Sequence, residues 1–533
     1  MEEHVREGRS ANEQRSAVQS SLMTADPGAP AGARRRGGLL ILAATLALSA
    51  GSLLLANTLA YDPFSWLIWG REVLHLDLHT DAGSAWKPLP ALIDTVLAPT
   101  GDAAPVLWML LARTGTVLSL VFAYRLAARL AGPLAGGLAA VWIVLMSRPG
   151  LLFGWTTFFG GGWSEGPLVA LCLLAVERHL DRRREHCLLL LLAASLIRPE
   201  AWPFLAGYAV YLWRAEPARR RLAALSLLAV PVLWIGPDFL GSGNLLGASD
   251  RARAAVPSGL AHARYPALKV LGFVADLLSP LVAVGALLAL GLAARRRELV
   301  TLALGAAAAG WVAIVAVMAE LGYPGVARYL VVGLALACVL AGVGWARVTA
   351  LAPRSPGGAH AAILVAVLAV QLPSAVTRTD DVVREVHGLK GSDRLDDTLA
   401  HALSAAGGAQ AVRRCGVAAT NPFYVPALSW RIGLGARVTY HVRPASLVFR
   451  GPASFGAPYA PAVGRRDRGF RLVARARPWE VLSRCPRIHG GAGTRSPARY
   501  RSAKGLEVVE ASRREFSSTL DEPSTEPGHP LRP

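Results

Sequence analysis

The chain has 533 residues, 53% of them hydrophobic and only 17% charged, and 56 basic against 36 acidic side chains give it a formal net charge of +20. A soluble protein carries roughly 25% charged residues, and here the apolar excess is gathered into long runs instead of being shared among soluble domains. This excludes a soluble globular enzyme, a disordered tail protein and a disulfide-stapled secreted domain, and it reads as a polytopic membrane protein.

In chain order, residues 1–38 are read as a disordered cytoplasmic head, polar and rich in Ser, Glu and Gly up to residue 33. A membrane span needs about 20 apolar residues to cross about 30 Å of hydrocarbon. The first run, Leu39–Asn57, follows three arginines. Its long polar head and the lack of a small-residue cleavage site favour a retained anchor over a signal peptide. Further runs lie near 105–127, 131–147, 165–180, 186–198, 201–213, 222–240, 268–293, 299–319, 329–346 and 360–375, about 11 transmembrane helices in all. The short fifth and sixth runs, broken by Arg198-Pro199-Glu200, allow a hairpin that does not fully span.

Arginine clusters at 34–36, 125/129, 182–184, 219–221, 295–297 and 347/354 all fall on one side in this scheme, as cytoplasmic loops should. Basic charge laid out between spans is not a groove for nucleic acid, so no nucleic-acid partner is expected. The N-terminus is placed in the cytoplasm, residues 39–375 in the cell membrane, and residues 376–490 in a small α/β exoplasmic domain with short β-prone runs at Arg437–Val442 and Ser446–Phe449. Residues 491–533 read as a disordered tail. Cys172, Cys187 and Cys338 lie within spans as packing residues. Cys415 and Cys485 share the exoplasmic domain, an oxidising location where a disulfide is favoured over two free thiols.

The polar residues that stand out are on the outer side. The first outer loop, 58–104, is long for a connection, and long loops are more often functional. Within it Phe64, Leu67, Ile68 and Arg71 recur at helical spacing with Trp66 and Trp69 nearby, which predicts a helix in the membrane interface with the indoles as anchors. Asp62 sits just beyond the first span. A partly desolvated carboxylate there is a candidate general base, and a helix N-cap is the equally weighted alternative. Asp77 and Asp81 read as solvated loop residues, and His75 and His79, four apart on the expected helix, lack a third metal ligand.

Arg113 lies well inside the second span, where a charge is costly and usually functional, with Glu165 a candidate interhelical partner. Glu165 follows Gly160-Gly161-Gly162-Trp163-Ser164, glycines that let backbone approach a ligand, although an acid at a helix N-terminus also offsets the dipole. Glu200 and Glu320 carry the same ambiguity. No spacing suggests a zinc site.

These residues carry a resemblance. An acidic residue just after the first span, a long outer loop with an interfacial helix, and the turn Trp86-Lys87-Pro88-Leu89-Pro90 resemble the GT-C fold glycosyltransferases, the superfamily of protein O-mannosyltransferases and lipid A aminoarabinose transferases. Arg198-Pro199-Glu200-Ala201-Trp202-Pro203 and Gly322-Tyr323-Pro324-Gly325-Val326-Ala327-Arg328-Tyr329 are similar to outer-loop elements of bacterial members. The likeness covers roughly residues 39–375.

The resemblance implies a hexosyl or pentosyl transfer from a polyprenyl-phosphate-linked sugar to a cell-envelope glycan, lipid or protein on the outer face. Asp62 matches the functional carboxylate. Lys87, Arg328 and Arg198 are candidate cations for the departing phosphate, Arg through paired hydrogen bonds, with snorkelling to lipid headgroups as the alternative for each. Trp86, Tyr329, Glu165, Glu200 and Arg113 complete the candidate binding set. The second acid of the usual pair is Pro63 here. No metal ligand is therefore assigned, and a divalent cation stays open. A transporter or flippase, or a non-catalytic scaffold of the same fold, are the rival readings; no internal repeat of the kind transporters show is evident.

Overall fold

The structure is a computed structural model that describes residues 31–486, apart from 56–57, 82, 149–152, 255–259, 261–262, 352–358, 453–457, 465–466 and 468. Each apolar run lies on a helix. They are α1 (Ala31–Ser52), α4 (Ala104–Ala131), α5 (Pro133–Leu145), α7 (Glu165–Leu180), α8 (Arg184–Ser195), α9 (Trp202–Ala215), α10 (Arg220–Ser242), α12 (Pro266–Leu277) with α13 (Pro280–Arg296), α14 (Leu299–Glu320), α15 (Val331–Leu351) and α16 (Ala359–Ala405). The first loop contributes α2 (Tyr61–Leu74) and α3 (Pro88–Leu97), and short helices α6 (Trp155–Gly160) and α11 (Gly247–Ala254) lie in connections. The tail outside 486 is not described, while α1 begins at Ala31, inside the segment read as head.

The structure does not confirm the expected 11 crossings. Among the described residues four helices are long and apolar enough to cross a membrane, or five if one bent pair is a single span. Length separates two of the runs: α8 and α9 have 12 and 14 residues, about 18 and 21 Å at 1.5 Å per residue, against about 30 Å of hydrocarbon, lengths that suit the hairpin reading of these runs. The run at 268–293 is not one rod either. It bends by 99° between α12 and α13, where Ser279 caps α13 by accepting from the Val282 amide and Pro280 takes its first position. Pro fits that position because it has no N–H to leave unpaired. The last run does not stop at 375: α16 continues as one 47-residue helix to Ala405.

The centre of the bundle is α15, packed on α4, α5, α7, α13 and α14. Its glycines permit this. Gly333 lies against the Ala308 carbonyl, and Gly342 and Gly344 meet the backbones of α5 and α13, the small-residue packing that membrane helices use in place of a hydrophobic driving force. Outward-facing leucines on other helices stay bare, among them Leu40, Leu228, Leu287 and Leu299. On a chain this apolar such a surface faces lipid.

After α16 come α17 (Gly408–Cys415), α18 (Val425–Ile432) and a sheet of β1 (Ala418–Thr420), β2 (Val438–Thr439), β3 (Leu447–Pro452), β4 (Tyr459–Ala460), β5 (Arg471–Ala476) and β6 (Trp479–Ser483). The strand order is β2-β1-β3-β6-β5, with β4 beside β3. Strand β1 is parallel to β2 and β3, and β6 is antiparallel to β3 and β5, with Val448 opposite Leu482 and a register shift between Leu472 and Ala474. Both β-prone runs are therefore strands. The sheet is built onto the end of α16, where the Trp479 indole donates to the Leu395 carbonyl at 2.9 Å.

Helix α18 rests on α2: the Arg71 guanidinium lies 4.3 Å from the Trp430 ring and donates to the Trp430 carbonyl at 3.2 Å. The first loop and the sheet region are thus one packed body.

Cys415 and Cys485 form a disulfide with Cα atoms 5.8 Å apart, joining the end of α17 to the residue run after β6. The three cysteines in the helices are buried and lie outside that bond. Cys415→Ser is expected to lower the unfolding midpoint of the sheet region by the equivalent of about 2–4 kcal/mol. Maleimide labelling of Cys485 without reductant, before and after heating, checks both the bond and its contribution.

Candidate active site

Five chain segments end at one point. The first turn of α2 brings Asp62, and the turn before α3 brings Lys87 as its N-cap residue. Glu165 opens α7, Arg198 precedes a 3-10 turn at Pro199–Ala201 that carries Glu200, and Arg328 and Tyr329 lie on the 3-10 turn Ala327–Leu330. Backbone hydrogen bonds lock these turns to one another. The Ala60 amide donates to the Gly161 carbonyl at 3.0 Å, joining the first segment to the third, and the Leu89 amide donates to Leu196 at 3.0 Å, joining the second to the fourth. The Trp311 indole donates to the Tyr329 carbonyl at 2.8 Å and holds the fifth.

Three carboxylates and three cations meet there. The Arg328 guanidinium lies 3.3 Å from the Asp62 carboxylate and 4.0 Å from Glu165. Arg198 donates to Glu165 at close range and lies 3.8 Å from Glu200. Lys87 donates to the Ser164 hydroxyl at 3.3 Å. Aromatic faces line the cations: the Lys87 ammonium is 4.7 Å from the Trp66 ring centre, Arg328 4.4 Å from Trp163 and Arg198 4.1 Å from Tyr329. Cations over aromatic rings are attracted by the ring quadrupole, more so when desolvated.

Glu165, Glu200, Arg198 and Lys87 are all buried, and Asp62 and Arg328 keep side-chain exposures of 13% and 20%. A chain holds so many charges out of water only when they are paired.

Burial moves the groups that lie outside the spans. Desolvation, reinforced by the Arg198 and Arg328 cations and opposed by Glu165 and Asp62, brings the Lys87 ammonium down to about 8. Burial pushes the Glu200 carboxyl up from its ordinary range against the pull of Arg198 and Lys87. Burial, then the neighbouring Asp62 and Tyr440, takes the Tyr61 phenol up to about 12.

No protein-family model matches the sequence, and a search of curated proteins finds no match. Among solved structures, the chain superposes on ArnT from Cupriavidus metallidurans with undecaprenyl phosphate bound, at a TM-score of 0.51 and 16% identity, covering 85% of this chain and 99% of that one. The chain has the GT-C fold. Weaker likenesses are to the same ArnT in the apo state (TM-score 0.46, 16% identity, 86% and 99% covered) and to the Archaeoglobus fulgidus oligosaccharyltransferase in the apo form (0.38, 13%, 64% and 56%).

Within this GT-C frame seven of the nine residues expected at the site are together: Asp62, Lys87, Glu165, Arg198, Glu200, Arg328 and Tyr329. Two point elsewhere. The Trp86 indole packs on Trp69 at 5.4 Å and donates to the Leu233 carbonyl at 2.9 Å, so it ties the first loop to α10. Arg113 donates to the Ser52 and Phe159 carbonyls at 2.6 and 3.2 Å instead of pairing with Glu165. An arginine inside an apolar helix needs several acceptors, and helix-end carbonyls supply them.

Other expectations are corrected. Asp62 is not the cap of α2, because Ala60 holds that position and Asp62 sits two residues into the helix. His75 ends α2 and His79 lies beyond it, with Leu76 at φ 55° breaking the helix, so the two are not on one helical face. Among the described residues no three His, Cys, Asp or Glu side chains could hold a metal ion. Glu320 accepts from the Ala267 amide at 2.9 Å, a structural role at the start of α12. The glycines at 160–162 make room for protein and not for a ligand: at Gly162, φ 66°, a Cβ would come within 2.6 Å of Leu59. Trp66 and Trp69, expected as interfacial anchors, are buried.

Ser164, Trp66 and Trp163 are site residues that the sequence reading did not assign. Each adjoins a residue that it did assign, but hydropathy carries no sign of which ring will lie beneath which cation.

Proposed function

We propose that the protein is a membrane glycosyltransferase that moves a sugar from a polyprenyl-phosphate donor to an acceptor hydroxyl at the outer face of the membrane. The observation that carries this reading is the cluster of Asp62, Lys87, Arg198 and Arg328 at the helix ends of a fold shared with a protein that binds undecaprenyl phosphate. Asp62 takes the proton of the acceptor hydroxyl. The oxygen attacks C1 of the sugar, the bond from C1 to the phosphate oxygen breaks, and the electron pair leaves with the polyprenyl phosphate. Lys87, Arg198 and Arg328 stabilise the charge that gathers on that phosphate, as fixed donors do best in a site closed to water. A phosphate seated among them competes with Asp62 for Arg328, and this frees the carboxylate to act as a base.

The pH dependence follows from Lys87. Its folded value of about 8 lies below the ordinary lysine value, so the cation is present below about pH 8 and lost above it. The KM for donor is expected to rise between pH 7 and 9 in the wild-type protein and to stay level there in Lys87→Arg, which keeps its charge.

The function is tested with proteoliposomes of the full-length protein given labelled undecaprenyl-phosphate sugars and an envelope extract as acceptor. Conversion of label to a glycosylated acceptor with release of undecaprenyl phosphate is the expected result. Solute uptake driven by an ion gradient, with the donor unconsumed, would overturn the reading in favour of a transporter.

A further inference from the structure

Both carboxylate oxygens of Glu200 are buried without a hydrogen-bond partner outside their own residue. Glu200 is 1% exposed, and among the described residues its one ion contact is the 3.8 Å approach to Arg198. An orphan acceptor of this kind is destabilising, more so when charged, and native proteins rarely keep one without a use. The cations around it are otherwise engaged: Arg198 with Glu165, Lys87 with Ser164, Arg328 with Asp62. Glu165 also keeps one buried oxygen, Oε2, without a partner. The cluster therefore leaves over donors, Nε of Arg198 and of Arg328, and acceptors, both oxygens of Glu200 and one of Glu165.

A phosphate uses donors only. What uses carboxylate acceptors is a group bearing hydroxyls, and the group bonded directly to the donor's phosphate is the sugar. Because Arg198 lies 3.8 Å from Glu200, a phosphate held by Arg198 sets the attached ring beside that carboxylate.

Resting on the function proposed above, we propose that Glu200 is the sugar-orienting residue of the donor site, its two carboxylate oxygens accepting hydrogen bonds from two adjacent ring hydroxyls of the transferred sugar. The substrate class is then a polyprenyl-phosphate sugar that keeps a vicinal diol free, and Asp62, on the far side of Arg328, is left to the acceptor. Such contacts fix C1 relative to the incoming oxygen, and orientation of this kind is a large part of what a transferase site supplies.

The test uses the full-length protein in nanodiscs with four probes: undecaprenyl phosphate and undecaprenyl phosphates carrying glucose, mannose or arabinose. Wild-type protein is expected to bind at least one sugar-bearing lipid more tightly than the bare lipid. Glu200→Gln is expected to lose that excess, about tenfold or more, while binding the bare lipid at least as tightly, because Arg198 loses a neighbouring carboxylate. Retained bare-lipid binding also shows that the variant is folded. A deoxy analogue of the preferred sugar lacking one of the two hydroxyls should weaken wild-type binding and leave the variant unaffected. The proposal is overturned if Glu200→Gln keeps the full sugar excess, or if no sugar-bearing lipid exceeds the bare one. Failure of wild-type protein to bind any of the four lipids overturns the functional reading itself, and the bare-lipid arm tells the two failures apart.

Discussion

Asp62→Asn is expected to lower kcat by roughly 10²–10⁴-fold, the usual contribution of a positioned general base, while leaving the protein folded. The expectation rests on position. Asp62 lies in the first turn of α2, ion-paired to Arg328 at 3.3 Å and partly exposed where the turns converge. Asparagine keeps the shape and can still accept one hydrogen bond, but it takes no proton. Removing its charge also releases Arg328, so the affinity for undecaprenyl phosphate is expected to hold or rise while turnover collapses. That split separates a base from a residue that only binds donor, for which KM and affinity would move instead. Single-turnover transfer with saturating donor, alongside lipid binding to the same preparation, makes the measurement. Equal turnover in the variant and the wild type would remove Asp62 from the mechanism.

Glu165→Leu is expected to cost stability before it costs activity. Glu165 is fully buried, takes a close hydrogen bond from Arg198, and lies 4.0 Å from Arg328. Breaking one partner out of a buried ion pair costs roughly 3–5 kcal/mol because an uncompensated charge is left behind. That is a large share of the 5–15 kcal/mol that holds a typical domain. A marked fall in the melting temperature of the detergent-solubilised protein is the expected outcome. Replacing both partners tells the causes apart: Glu165→Leu with Arg198→Met should recover much of the loss, since an apolar pair of similar volume is often neutral. If the double variant is no better than the single one, the cost lies in packing and not in the stranded arginine.

Much of this molecule was legible in its sequence. Apolar runs mark helices because a backbone in lipid must satisfy its own hydrogen bonds, and a helix does so within one segment. Each run is a helix in the structure, and the β-prone runs 437–442 and 446–449 contain β2 and the start of β3. The number of crossings was not legible. The runs at 186–198 and 201–213 are apolar, but their helices have 12 and 14 residues and are short as rods, and the bend at Ser279-Pro280 divides what reads as a single run.

Composition places acids and bases at the ends of apolar runs near 62, 87, 165, 198–200 and 328, since charge in so apolar a chain survives only where water or a partner can reach it. The tertiary structure alone decided which of them meet. Arg113 and Trp86 are as unusual in the sequence as Arg198 and Lys87, yet they face helix-end carbonyls and the α10 backbone instead. A side chain's partner depends on how its helix is turned and which glycines let a neighbour come close, and both are set by packing among segments that lie hundreds of residues apart.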